Sequence, residues 1–400
     1  MKVGTILQDC REGKTLSKVD ALFLSSVRED GLTALLDVAS ELRDRYKGKT
    51  VTFSPKVFIP LTNLCRDFCG YCTFRKAPDE PGAKIMTFDE VLRVVHQGKL
   101  LGCTEVLLSL GDKPEAIYPE MRDFLAQVGL RRTLDYLYEA CGVVLEETGL
   151  LPHSNPGLMG RRDLRRLKEV NISLGLMLES ISDRLGLPSG PHFNAPDKKA
   201  SLRLKTIEEA GELRIPFTTG LLIGIGENWG ERIDSLFAIR EMHERHGHIQ
   251  EVIIQNFRPK LETPMQGSPE PSQEEMLKTI ALARLILGGE MNIQAPPNLS
   301  PESYEVYLDA GINDWGGVSP LTPDFINPEA PWPTLAILSN KTAQAGFVLK
   351  ARLPIYPEFI FQGEKFVPPL LFPYVERLCG DDGLLKNGGT HDQIGNALRV

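Results

Sequence analysis

Three cysteines stand close together in the string Thr62-Asn63-Leu64-Cys65-Arg66-Asp67-Phe68-Cys69-Gly70-Tyr71-Cys72. Thiolates at this C-x3-C-x2-C spacing can wrap one [4Fe–4S] cluster and ligate three of its irons. The remaining iron is then open, as a metal that must bind a small molecule has to be. A structural zinc or a plain electron-transfer cluster would want a fourth ligand, from Cys103, Cys141, Cys379 or a distant His. No second C-x2-C pair follows the motif. A zinc- or cluster-holding module without catalysis is the non-enzymatic alternative.

Such a loop needs a scaffold. From residue 51 short apolar runs alternate with longer amphipathic stretches. The runs are VFIPLTN (57–63), EVLLSLG (105–111), LLPHSNP (150–156), ISLGLMLES (172–180), FTTGLLIGIG (217–226), EVIIQNF (251–257), MNIQAPP (291–297) and NDWGGVS (313–319). Near-continuous apolar strands between helices imply a parallel sheet covered on its outer face. Eight runs predict an α/β fold of the (β/α)8 TIM-type barrel; a six-strand partial barrel is the alternative. One intervening stretch opens on Thr87 with Glu90 three residues later, the spacing of a capping box. Polar residues gather at the C-terminal ends of the runs, among them Asn63, Asp112, His153, Asn155, Glu179 and Gln255. That end carries the chemistry of such barrels. The expected organisation is an N-terminal helical extension over 1–50, a barrel over 51–320, and a Pro-rich C-terminal extension over 321–400 packed on the barrel.

Bulk properties narrow the class further. The 400 residues carry 45 Lys and Arg against 53 Asp and Glu, a net charge of −8, with no basic block. That argues against a nucleic-acid partner. No apolar run reaches the roughly 18 residues a spanning helix needs, and the N-terminus has no signal-peptide core. A cytoplasmic location is therefore expected, with no membrane partner. Seven cysteines, an odd number in a long chain, fit reduced thiols better than a disulfide framework. Cys10, Cys103, Cys141 and Cys379 read as core or surface thiols. His243, His246 and His248 are metal-ligand types, but they end a charged amphipathic helix and read as surface. Gly220, Gly224 and Gly226 follow G-x3-G-x-G, which is wrong for a dinucleotide fingerprint.

The cysteine spacing, with an aromatic before the last cysteine, resembles the signature of the radical S-adenosylmethionine (SAM) superfamily. The wider string VFIPLTNLCRDFCGYCTFRK is similar to the ring-closing subunits of 7,8-didemethyl-8-hydroxy-5-deazariboflavin synthases. The likeness continues through LGDKPE, LPHSNPG, GLMLES, TTGLLIGIGE, IIQNFRPK, NIQAPPNLSP and DWGGVSPLTPDFINPE, most of residues 50–330. It implies a radical SAM lyase of deazaflavin coenzyme biosynthesis, with a [4Fe–4S] cluster on Cys65, Cys69 and Cys72 and SAM on the open iron. Tyr71 would lie near the adenine. Gly111, Asp112 and Glu115 would face the SAM amino group, although LGDKPE departs from the usual G-G-E. Glu179 would hold the ribose hydroxyls, or else pair with Arg184, Arg203 or another cation; Gly224 would allow close backbone approach.

His153 and Asn155 are weak candidates for binding a uracil-type ring or moving a proton. Asp314, Trp315, Ser319, Thr322 and Asp324 are weak candidates for gripping a ribityl chain. The implied reaction is radical-driven cyclisation and ammonia loss from a 4-hydroxybenzyl-ribityliminouracil adduct. A partner radical SAM subunit would make that adduct and a reducing donor would supply electrons. The partner subunit itself, or a radical SAM enzyme of menaquinone or thiamine synthesis, is the enzymatic alternative.

Overall fold

The computed structural model describes residues 2–386; residues 387–400, the end of the expected C-terminal extension, lie outside the described residues. Eight parallel strands form the frame: β1 (Thr50–Thr62), β2 (Glu105–Leu110), β3 (Leu151–Asn155), β4 (Ser173–Gly175), β5 (Phe217–Ile223), β6 (Ile249–Asn256), β7 (Ile293–Gln294) and β8 (Asp314–Val318). They pair in chain order, and β1 pairs with both β2 and β8, so the sheet closes into a barrel. This is the (β/α)8 barrel the apolar runs predicted, not the six-strand form. The strands are apolar on their outer face because helices cover it. Val57, Ile59 and Leu61 of β1 are completely buried under the helix Phe88–Leu100 and its neighbours.

Local signals place the helix starts. Thr87 Oγ1 accepts the Glu90 N–H at 3.3 Å, and the Glu90 carboxylate accepts the Thr87 N–H at 2.8 Å. Asn228 with Glu231 and Ser272 with Glu275 repeat this reciprocal cap. Three helices precede β1: Lys18–Ser25 and Asp30–Lys47 pack on the barrel's outer helices, and Lys2–Arg11 packs on Asp30–Lys47.

After β8 the chain returns beneath the barrel. Strand β9 (Val348–Ala351) pairs with the first residues of β1, Thr50 to Phe53, just before β2 begins its own pairing at Lys56. Residues 352–356 then cross the N-terminal end of the barrel. The Pro354 carbonyl accepts from Ser173 Oγ at 2.5 Å and Gln250 Nε2 at 3.2 Å. Arg352 reaches Asp314 at 2.6 Å and Glu251 at 3.0 Å. No helix among the described residues is long and apolar enough to cross a membrane.

The surface reading of His248 is corrected by the fold. It is fully buried between the helices Ala200–Glu212 and Trp229–His246, with Nε2 2.9 Å from the Ile207 carbonyl. Gly247 in the left-handed conformation ends the preceding helix and turns the chain inward toward β6. Burial pushes its imidazole down to about 3, aided by His243 and His246. The unfolded chain takes up a proton near the ordinary value of 6.5. Stability from this group therefore falls as the pH drops from about 6.5 toward 3. His248→Gln keeps an N–H for Ile207 but cannot titrate, so its melting temperature should depend less on pH than wild type across that window. Superimposable pH profiles for the two proteins would contradict the buried neutral histidine.

Candidate active site

β1 runs straight into the cysteine loop at the C-terminal end of the barrel. Thr62 Oγ1 accepts the Leu64 N–H at 3.2 Å and donates to the Lys84 carbonyl at 2.9 Å, which fixes the exit from the strand. The end of β2 passes directly beneath. A Cβ on Gly111 would lie 1.9 Å from the Leu64 carbonyl oxygen and 2.6 Å from Cys65 Cβ, so only glycine fits. The backbone N–H groups of Asp67 and Asp112 lie 3.4 and 3.2 Å from Cys65 Sγ. Burial pushes the Cys65 thiol up to about 12, reinforced by Asp67, and raises Cys69 well above its ordinary value. Thiols held this way become thiolates when a metal supplies the compensating charge.

A segment after β4 clamps the loop. Arg66 makes a bidentate pair with Asp197, 2.5 Å on each arm. Asp67 accepts the Asp197 N–H at 3.1 Å, Phe68 N–H reaches the Asn194 carbonyl at 2.9 Å, and Gly70 N–H the Pro191 carbonyl at 2.7 Å. The oxygens of Asp67, Asp112 and Asp197 come within 4.8 Å of one another. Arg66 and Lys113 offset their charge.

Glu179 stands opposite the cysteines with φ +64°, in the left-handed region where a non-glycine residue is strained. Its carboxylate accepts from Tyr71 Oη at 2.6 Å, lies 3.1 Å from His192 Nε2 and pairs with Lys198. Burial alone would raise its pKa; Lys198, His192 and Arg203 outweigh that and hold it well below the ordinary value. The cation paired with it is thus Lys198, not Arg184, which pairs with Glu231, nor Arg203, which donates to the Met177 carbonyl. One cavity is lined by Cys65, Cys69, Cys72, Tyr71, Gly111, Asp112, Glu179, Lys198 and Asn256. Among the described residues, the Asn256 Oδ1 buried there has no partner.

A second cavity fills the barrel interior and shares Ser109, Asn155, Gln255 and Asn327 with the first. His153 and Asn155 both line it, as does Asp324. The Asp324 carboxylate already accepts from Asn298, Asn327 and two backbone N–H groups.

Other anticipated residues stand apart. Glu115 is spent on the first turn of a helix, accepting from Thr133 N–H at 3.2 Å and Thr133 Oγ1 at 2.5 Å. Gly224 lies outside both cavities, its N–H taken by Glu227 at 2.8 Å. Asp314 pairs with Arg352 on the floor. Trp315 is buried on the outer side, its Nε1 donating to Thr342 Oγ1 at 3.0 Å. Ser319 and Thr322 bond each other at 2.7 Å, and Thr322 Oγ1 accepts the Phe58 N–H at 2.9 Å.

Several lining residues escaped the sequence reading: Lys56, Glu105, Thr218, Glu251, Gln294, Arg352 and Lys198. The signal for most of them was a polar residue at an inward-facing, alternate position of an apolar run, as in Lys56-x-Phe58 and Glu105-x-Leu107-x-Ser109.

Two outcomes follow from the loop. Cys65→Ala, Cys69→Ala and Cys72→Ala should each abolish reductive SAM cleavage, measured as 5′-deoxyadenosine, while Cys103→Ala retains it; loss in Cys103→Ala would remove the case for an open iron. Gly111→Ala should cost about 1–3 kcal/mol of local packing and lower iron bound per chain after anaerobic reconstitution. Wild-type iron content in that variant would show that the loop can yield.

The radical SAM superfamily pattern matches residues 59–239. The 7,8-didemethyl-8-hydroxy-5-deazariboflavin synthase of Methanopyrus kandleri is 48% identical over 84% of this chain and 100% of its own length. The FO synthase of Streptomyces avermitilis is 46% identical over 93% of this chain, which spans only 44% of that longer protein. Among solved structures, the FeFe-hydrogenase maturase HydG from Carboxydothermus hydrogenoformans shares the fold with a TM-score of 0.72 at 21% identity, covering 94% of this chain and 84% of that one. Cysteine loop, barrel and 48% identity over 84% of the chain agree: the chain belongs to the radical SAM family of 7,8-didemethyl-8-hydroxy-5-deazariboflavin synthases.

Proposed function

We propose that this chain performs the ring-closing step of deazariboflavin formation in the cytoplasm. Its substrate is a 4-hydroxybenzyl-ribityliminouracil adduct, made by a partner radical SAM subunit or by the additional part of the longer relatives. Abstraction of one hydrogen atom by a 5′-deoxyadenosyl radical, giving 5′-deoxyadenosine, would lead to cyclisation between phenol and uracil with loss of ammonia. The last electron on the way to the aromatic ring would pass to a one-electron acceptor such as the oxidised cluster, and its proton to solvent. The observation that carries this reading is the adjacency of the two cavities. A cysteine-lined site shares Ser109, Asn155, Gln255, Ile326 and Asn327 with a polar chamber inside the barrel, whose lining includes Arg352 and Pro354.

The residues present fit the family's cofactors. Three free thiols, the inward N–H groups of Asp67 and Asp112, and the unpartnered Asn256 Oδ1 surround one cavity. Cys65, Cys69 and Cys72 would hold a [4Fe–4S] cluster and the cavity beside them SAM, which together supply a 5′-deoxyadenosyl radical once a reducing donor delivers an electron. Glu179 has acceptor capacity left for a ribose hydroxyl, since a carboxylate offers about four lone-pair sites. Tyr71, donating to Glu179, presents its ring as a wall of the same cavity.

Inside the chamber His153 has a defined state. The single Ser173 hydroxyl proton is donated to the Pro354 carbonyl, so His153 Nδ1, 2.6 Å from Ser173 Oγ, must carry its own proton. Nε2 is then a bare acceptor, suited to a hydroxyl or ring N–H of the substrate. Burial pushes this imidazole down to about 4, so it stays neutral through the physiological range. The barrel wall excludes water and competing C–H bonds from a reactive radical.

Supplying purified adduct, SAM and a low-potential reductant to the anaerobically reconstituted protein should yield the fluorescent deazaflavin. Product only from tyrosine plus ribitylaminouracil would instead identify the adduct-forming activity. A colourless zinc protein that makes no 5′-deoxyadenosine would end the enzymatic reading.

A further inference from the structure

Lys56 is the anomaly of the chamber. It sits in the middle of β1, 7% exposed, side by side with Glu105 of β2. Its ammonium lies 5.5 Å from the Phe58 ring centre and 5.1 Å from that of Trp332. Among the described residues no hydrogen bond or ion pair satisfies it. The carboxylates that act on it from a distance, Glu105, Asp324 and Glu251, are each engaged elsewhere. Glu105 accepts from Ser54, Asp324 from Asn298 and Asn327, and Glu251 from Arg352, Tyr356 and Thr218. A desolvated cation without a direct acceptor is costly to keep.

Two neighbours share this condition. Gln294 donates through Nε2 to the Trp315 carbonyl at 3.3 Å, but its Oε1 is unpartnered. The Trp332 Nε1 likewise has no partner among the described residues. Two consecutive glycines of β8 make the room. A Cβ on Gly316 would meet Gln294 Nε2 at 2.2 Å, and one on Gly317 would meet Lys56 Cδ at 2.3 Å and Nζ at 2.6 Å. Lys56 and Gln294 therefore lie over adjacent residues of one strand, an unfilled donor beside an unfilled acceptor.

We propose that Lys56, Gln294 and Trp332 form a subsite for the imide edge of a pyrimidinedione ring. Lys56 donates to a ring carbonyl, Gln294 Oε1 accepts the ring N–H, and Trp332 borders the ring with its indole N–H free for an acceptor. The subsite rests on the deazaflavin reading, because it needs a substrate with such an edge. It makes Lys56 and Gln294 specificity-determining residues.

The product deazaflavin keeps the imide and fluoresces, so it serves as the probe, with its N3-methyl derivative as control. Titrated into the reconstituted full chain, the parent should bind at least about tenfold more tightly than the N3-methyl compound, the effect of leaving a buried polar group unpaired. Lys56→Met should weaken parent binding by about tenfold, and Gln294→Leu should erase the discrimination. Gly317→Ala, which only dislodges the ammonium, should weaken the parent in the same direction. Equal affinity of wild type for both compounds overturns the subsite, as does wild-type affinity in both Lys56→Met and Gly317→Ala; the first comparison needs no variant. Failure of wild type to bind either compound overturns the subsite together with the deazaflavin reading, whereas binding without discrimination overturns the subsite alone.

Discussion

Arg352 enters the barrel from below and joins Asp314 of β8 to Glu251 of β6. An eight-stranded barrel of this type is ordinarily filled by layers of branched apolar side chains. Here the inward positions carry Lys56, Glu105, His153, Thr218 and Glu251, and a hollow polar interior is stable only if its charges find partners. Burial alone would lower the Arg352 pKa, but Asp314, Tyr356 and Glu251 reverse this and hold the guanidinium charged. The bridge is backed by Tyr356 Oη, which donates to Glu251 at 3.0 Å, and by the Pro354 carbonyl, which ties Ser173 and Gln250 to the same segment. These contacts bar the lower end, and the chamber shares walls with the cysteine site above.

The upper end is held by a different device. The cysteine loop is too short to build a core, so its geometry comes from backbone bonds to the 191–198 segment and from Arg66 gripping Asp197. The same segment delivers His192 and Lys198 to Glu179, while Glu179 takes the Tyr71 hydroxyl from the loop. Loop, clamp and β4 end are thus one hydrogen-bonded unit. The strained backbone at Glu179 is sustained by three partners on its carboxylate, and its N–H is still satisfied by the Gly220 carbonyl at 2.9 Å.

Much of this frame was legible in the sequence because burial on both faces writes a strand as an apolar run. All eight runs became strands, even the two-residue β7. The cysteines were legible because their chemistry demands close spacing. What escaped was decided by long-range placement. β9 and Arg352 lie some 300 residues from the β1 edge they complete, and no local pattern marks a floor. Lys198 and His192 sit in an irregular segment whose role depends on where it docks. Glu115 and Trp315 were misplaced because a polar turn and a turn-rich loop fit either a cofactor or a helix cap and outer packing; the structure spends them on Thr133 and Thr342. His248 looked exposed because its helix is charged, yet the glycine after that helix turns it inward.

The polar interior also explains why the chamber and the cysteine site share walls. Ser109, Asn155 and Gln255 each follow an inward residue two positions earlier on the same strand: Leu107, His153 and Ile253. A two-residue step moves about 6–7 Å along a strand without changing face. The side chains that line the floor of one site are therefore continued, strand by strand, by those that line the roof of the other. Strand periodicity alone sets this axis. On the function proposed above, a substrate would lie along it with its polar end among Lys56, Glu105 and His153 and its reacting end toward the cysteine loop.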